Sequence, residues 1–102
     1  MQVNLTWPAV PSALFYRVYR GTSPGGPYKL VGQSNPNPAQ TTVSANIATT
    51  YQDGPNNLVN GQDYYYVVTA VTPDGEGAYS SEFAALWPGA PPVVSSLSGT
   101  VI

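Results

Sequence analysis

Apolar and polar side chains alternate along this chain in short runs, and the runs predict β-strands. The most strongly marked covers residues 61–71, Gly-Gln-Asp-Tyr-Tyr-Tyr-Val-Val-Thr-Ala-Val. It is aromatic and β-branched, holds no proline and is bounded by turn residues, the pattern of a central strand with both faces occupied. Val3, Leu5 and Trp7 alternate with Asn4 and Thr6, which predicts a half-buried strand ended by Pro8. Within 15–20, Tyr16 and Val18 share one face, Arg17 and Tyr19 the other. Residues 21–27 are a cluster of turn formers, and 28–31 reads as a short strand near an edge. Asn35-Pro36-Asn37-Pro38 is a loop. Val43, Ala45, Ile47, Thr49 and Tyr51 then fall on one face, so 41–51 contains at least one strand. After a turn at 53–57, Leu58 leads into the central run. Pro73-Asp74-Gly75 is a tight turn in which proline presets φ and glycine can take a positive φ. Residues 78–86 return as the partner strand. Residues 88–92, with Pro88, Pro91 and Pro92, form a stiff linker. Residues 93–102 complete the set as one more strand, with Val94, Leu97 and Val101 as apolar members.

Composition narrows what such a chain can do. Its 102 residues make one domain, and eleven prolines and ten glycines fit a turn-rich all-β fold with no convincing helical period. The absence of cysteine and histidine removes disulfides, thiolate chemistry, the commonest general base and the commonest metal ligand. Charged residues are 8% of the chain, against a usual share of about 25%. The net charge is −2 and the only basic residues are Arg17, Arg20 and Lys29, which argues against nucleic-acid partners and anionic membranes. A surface so poor in charge repels its own copies weakly and tolerates self-assembly. No apolar run approaches the ~20 residues of a membrane span. The first residues, Met-Gln-Val-Asn-Leu, lack the basic and apolar regions of a signal peptide. Composition nonetheless favours an extracellular or cell-surface protein, with Met1 then non-native or left by trimming.

The order of motifs resembles a known family. Leu58, Gly61 and then Tyr64-x-Tyr66-x-Val68-x-Ala70-Val71 are similar to the sixth strand of fibronectin type III domains, where a leucine lies six residues before a corner tyrosine. Val3-x-Leu5-x-Trp7 resembles the second strand with its buried tryptophan. Tyr16-Arg17-Val18-Tyr19-Arg20-Gly21 followed by Ser23-Pro24-Gly25-Gly26-Pro27-Tyr28 resembles the third strand and hairpin of bacterial members. Tyr51-Gln52-Asp53 resembles the end of the fifth strand, and Gly77-Ala78-Tyr79-Ser80 the start of the seventh. The resemblance implies an immunoglobulin-like, seven-stranded sandwich of two sheets. The expected core is Trp7, Tyr16, Val18, Tyr51, Leu58, Tyr64, Tyr66 and Val68, with Ala70 also inward and the Tyr64 hydroxyl on a backbone group at the corner. Trp7→Ala is expected to cost roughly 3–5 kcal/mol.

In one respect the chain departs from the family. The first strand is expected ahead of the buried-tryptophan strand, yet 91–102 resembles such a strand at the opposite end. The expected organisation is a sandwich over 1–87 without its own first strand, a linker over 88–92 and a donor-like strand over 93–102. A linker reaching at most about 20 Å favours delivery of that strand to the next molecule. Val93, Val94, Leu97 and Val101 would then lie on a vacant acceptor edge formed by Val3, Leu5 and Trp7 of a neighbour, as donated strands do. Such head-to-tail contact builds filaments, so the expected partner is the chain itself or a neighbouring domain. The alternatives are a monomeric spacer or carbohydrate- or protein-binding module from a larger secreted protein, a chain cut at arbitrary boundaries, an engineered circular permutant with a strained closure, and a free tail.

Other candidate sites are sparse. The carboxylates are Asp53, Asp63, Asp74, Glu76 and Glu82. Asp53 and Asp74 sit beside glycines and read as turn residues. No nucleophile–base pair can be assembled, so no enzyme is expected and no cofactor is implied. Calcium on Asp53 with Asn56 or Asn57 is an alternative to a simple turn. Tyr19, Tyr28, Tyr65 and Tyr79 read either as cross-strand packing or as an exposed aromatic face for sugars or peptides. Trp87, next to Pro88, reads as a subunit-junction anchor or as local packing on the proline. Asn4-Leu5-Thr6 fits a glycosylation sequon but falls within a strand. Asp74-Gly75-Glu76, in the loop where adhesive motifs occur in the family, is not Arg-Gly-Asp.

Overall fold

Turn formers separate the period-two runs, and the chain breaks at them. The computed structural model describes residues 1–34, 48–87 and 98–101, and all regular structure among these is β-strand. The strands are β1 (Val3–Thr6), β2 (Phe15–Gly21), β3 (Lys29–Gln33), β4 (Thr50–Asp53), β5 (Tyr64–Thr72), β6 (Gly75–Glu76), β7 (Phe83–Ala85) and β8 (Ser98–Val101). One sheet has the order β4-β1-β8 and the other β3-β2-β5-β6, with β7 also on β5. Every pairing is antiparallel.

Strand β5 is the organising element. It pairs with β2 from Phe15↔Val71 to Gly21↔Tyr65 and with β6 and β7 on its other side. Tyr64, Tyr66 and Val68 face the interior, while Val67 and Thr69 on the opposite face are also buried. The core between the sheets is built from Val3, Leu5 and Trp7, from Tyr16 and Val18, and from Leu58, Phe83 and Ala85 around the β5 residues. Trp7 meets Tyr16 edge to face, with ring centroids 5.4 Å apart.

Three tyrosine hydroxyls enter this core, and each finds a partner. Tyr16 accepts the Val10 N–H at 2.8 Å. Tyr64 accepts the Val59 N–H at 2.8 Å, which pins the corner ahead of β5. Tyr66 donates to Asp53 Oδ2 at 2.7 Å. Each ring thus buries its apolar body without leaving its polar tip unsatisfied.

Two sequence expectations are corrected by the structure. The partner of β5 expected as one strand over 78–86 forms only as β7, from Phe83 to Ala85, apart from β6, which ends at Glu76. The intervening backbone stays against β5, with Gly77 N–H on Ala70 O and Ser80 N–H on Val68 O. The Ser80 hydroxyl, however, accepts the Val68 N–H at 2.9 Å, so a side chain takes the bond that a regular ladder would give to a carbonyl. Gly75 takes φ 122°, which closes the β5–β6 turn.

The second correction concerns the tail. The edge of β1 expected to be vacant is occupied by the chain's own β8, in the register Val3↔Val101, Leu5↔Gly99, Thr6↔Ser98. The physical reason is reach. Eleven residue steps separate Ser98, the first described residue of β8, from Trp87, or about 36–40 Å fully extended. That is ample to return along strands of ~17–20 Å. Gly99 faces the core at close quarters: a Cβ there would lie 2.8 Å from Asn4 O and 3.1 Å from the Phe83 ring. The linker 88–92 with Pro88, the tail residues Val93, Val94 and Leu97, and the alternating Val43, Ala45 and Ile47 lie outside the described residues.

Candidate functional site

The strand pleat places two groups of polar and aromatic side chains, one inside the sandwich and one outside it. Residues two apart share a face, so the inward parity of Tyr16 and Val18 carries on to Arg20. Arg20 lies opposite Tyr66 on β5. Asp53 lies opposite the fully buried Val3 and faces inward from the other sheet. Asp53 is 1% exposed and Tyr66 0%. Asp53 Oδ2 accepts from Arg20 Nη1 at 2.7 Å and from Tyr66 at 2.7 Å, and Oδ1 accepts from Asn57 Nδ2 at 2.6 Å. The Arg20 guanidinium also lies 5.3 Å from the Tyr64 ring centre, a cation–π contact.

Burial, then the bond to Asp53 and its charge, push the Tyr66 hydroxyl far above the ordinary tyrosine value. Burial alone would lower Arg20; the hydrogen bond and charge of Asp53 outweigh it and raise the guanidinium. The group is a lock between sheets, with every Asp53 oxygen engaged. The calcium alternative for Asp53 is corrected on that ground, because a guanidinium and two donors already hold the carboxylate. Among the described residues no three His, Cys, Asp or Glu side chains come together where they could hold a metal ion.

The second group lies on the outer face of the larger sheet. Tyr19 on β2 and Tyr28 ahead of β3 both meet Tyr79 edge to face, at centroid distances of 5.2 and 5.3 Å. Val67, directly across from Tyr19, is buried on this side. Glu76 on β6 accepts from Arg17 Nη1 at 2.8 Å, from Thr69 Oγ1 at 2.6 Å and from the Tyr19 hydroxyl. Burial would raise the Glu76 carboxyl, but the bonds from Thr69, Tyr19 and Arg17 outweigh it and hold it below the ordinary carboxylate value. Glu82 accepts from Gly25 N at 2.8 Å and from the Tyr28 hydroxyl, tying the 21–28 turn to the segment before β7. Burial and the Glu82 bond push the Tyr28 hydroxyl up to about 12. A depression of about 460 Å³ opens beside this cluster, lined by Tyr19, Glu76, Gly77, Ala78 and Tyr79.

The remaining sequence-selected residues fall as follows. Trp7, Tyr16, Val18, Leu58, Tyr64, Tyr66 and Val68 are buried in the core, with Tyr51 half-buried against it and its hydroxyl on Val31 O. Val3 and Leu5 form the edge that receives β8, and Val101 packs against the core from that strand. Trp87 is 38% exposed, and its backbone N–H donates to Asp63 Oδ1 at 2.7 Å. Tyr65 is half-buried, outside the ring cluster. The inter-sheet lock was missed by treating Asp53 as a turn residue. The signal that finds it is parity: Arg20, Asp53 and Tyr66 each continue an inward-facing register.

No family model matches the chain. A stretch of 86 residues, 82% of the chain, is 36% identical to an amylopullulanase from Thermoanaerobacter thermohydrosulfuricus. The chain spans only 5% of that enzyme's length. Among solved structures, the fold matches an Fn3-like protein from Clostridium thermocellum with a TM-score of 0.66 and 33% identity, covering 88% of this chain and 80% of that one.

Proposed function

The chain belongs to the fibronectin type III-like family, and from that premise we propose that it serves as a non-catalytic, extracellular module of a larger polysaccharide-handling protein. The observation that carries this reading is the 86-residue similarity that occupies only 5% of an amylopullulanase: it relates this chain to one small part of a long enzyme. Among the described residues no nucleophile–base pair comes together. The domain's buried carboxylate, Asp53, is committed to Arg20, Tyr66 and Asn57, and its outward carboxylates Glu76 and Glu82 are engaged by tyrosines and backbone. What the chain supplies is a two-sheet sandwich with few charged residues.

Self-assembly is the second reading. Strand β8 pairs through Ser98–Val101 alone among the described tail residues, and β1 of a neighbouring copy would offer it the same register. In that exchange Val93, Val94, Leu97 and Val101 act as donors, and Trp87 with Pro88 sits at the junction. Pairing of β8 with its own chain supports the monomeric module over this exchange. Multi-angle light scattering across a hundredfold range of concentration is the test. The module reading expects a 10.7 kDa species throughout; filaments or large head-to-tail assemblies would overturn it.

A further inference from the structure

We infer that the Tyr79 side of the larger sheet binds a neutral α-glucan chain, an assignment that rests on the module reading above and names the ligand class of its outer face. Tyr79 is 52% exposed, yet its ring is fixed edge to face by Tyr19 and Tyr28. An exposed ring held in place loses little freedom when a ligand stacks on it. Simple cross-strand packing accounts for the cover over Val67 but not for a ring that stays half in solvent beside an open depression.

That depression, about 460 Å³, is broad and open to solvent, a surface across which an extended chain can lie. It stays open because Gly77 and Ala78 put almost nothing into it. Packing does not require glycine at position 77, since a Cβ there would meet only Ala70 O at 3.5 Å, an ordinary contact.

The chemistry suits a sugar. A pyranose ring presents an apolar C–H face and a rim of hydroxyls. The tyrosine rings match the face. The rim meets Glu76, whose position is fixed by Arg17, Thr69 and Tyr19 and whose charge is balanced by Arg17. The Tyr19 hydroxyl donates to Glu76, which leaves its oxygen lone pairs to accept from a sugar hydroxyl; Thr69, buried beneath, serves only to hold Glu76. A chain with 8% charged residues and a net charge of −2 offers no field for a polyanion. The α-linkage is chosen from the amylopullulanase similarity.

The test is native affinity electrophoresis of the full 102-residue chain through gels containing pullulan, hydroxyethyl cellulose or no polysaccharide. Retardation by pullulan is expected. Tyr79→Ala should weaken it about tenfold, the loss of one stacking contact. Gly77→Gln, which fills the depression and leaves the rings in place, should weaken it comparably, and Val59→Ser on a distant turn should not. Thermal unfolding of each variant separates loss of binding from loss of fold. Unretarded migration in pullulan, retardation in cellulose ether alone, or equal retardation of the wild type and both site variants would overturn the assignment. A monomer that ignores pullulan sinks the glucan surface and leaves the module reading intact; filaments in light scattering sink the module reading itself.

Discussion

Removing the Asp53 carboxylate strips three donors of their acceptor at once. In Asp53→Ala, Arg20 keeps its charge but loses its ion pair, with only 21% of its side chain exposed. Breaking one partner of a buried pair costs roughly 3–5 kcal/mol, because the remaining charge is uncompensated. The partial exposure of Arg20 lets water screen part of that charge and moves the figure to the lower end. The Tyr66 hydroxyl, on a residue 0% exposed, is also stranded, and a buried donor without a partner costs about 1–3 kcal/mol. Both losses fall on one oxygen and share the same relaxation, so they do not add. The expected total is about 4 kcal/mol. A domain of this size has about 5–15 kcal/mol of stability in all, so the variant folds but sits close to its limit.

Urea unfolding followed by tryptophan fluorescence measures this directly, with stability read from the midpoint at constant slope. The informative companion is Arg20→Met with Asp53→Ala. It removes the stranded charge and keeps an apolar stem, and it should recover about 1–2 kcal/mol relative to Asp53→Ala alone. A cost below about 1 kcal/mol for the single variant, or a double variant no more stable than the single one, would refute the reasoning that an unpaired Arg20 is what makes Asp53 matter.

Two further outcomes test the tyrosine hydroxyls. Tyr64→Phe leaves the Val59 N–H without its 2.8 Å acceptor and should cost about 1–2 kcal/mol in the same urea assay. The alkaline limb should be set by tyrosines that resist ionisation. Tyr28 is raised from 10.0 to about 12 in the folded chain, and Tyr66 is raised in the same direction. A raised folded value means that the unfolded chain releases its proton first, so stability is intact below pH 10 and lost as pH rises from 10 towards 12. Urea midpoints that fall from pH 9 to pH 11, together with a late fraction in tyrosinate absorbance, are the expected observations.

The strands were legible because their signals are local. Tyr64, Tyr66 and Val68 alternate inside a proline-free run, and Leu58 stands at the corner spacing ahead of Tyr64, so the central strand and its register could be read directly. The division of the last partner strand was not legible, because it depends on the Ser80 hydroxyl taking a backbone bond from Val68 across the sheet. The inter-sheet lock depends on pairing Val3 with Asp53 and Arg20 with Tyr66, relations between residues far apart in sequence. The tail was misread for a geometric reason. A connection counted only to Pro92 spans about 20 Å, whereas the eleven steps from Trp87 to Ser98, the first described residue of β8, span about 36–40 Å and allow its return to β1.

Strand β2 links the two polar groups and also keeps them apart. Tyr19 and Arg20 are neighbours on it, and the pleat sends them to opposite faces: Tyr19 outward to Tyr79 and Glu76, Arg20 inward to Asp53. A perturbation on one face should therefore reach the other only through strand backbones, that of β5, which carries Tyr66 inward and Thr69 outward, and that of β2. That backbone is held on both sides, by β3 and by the long pairing with β5. The stability lost in Asp53→Ala should leave pullulan retardation unchanged wherever the variant is folded, whereas Tyr79→Ala, which gives up two edge-to-face ring contacts, should cost about 1–2 kcal/mol in the urea assay while retardation falls. If instead retardation falls in folded Asp53→Ala, the outer tyrosines depend on the lock for their placement, and the two faces form one cooperative unit.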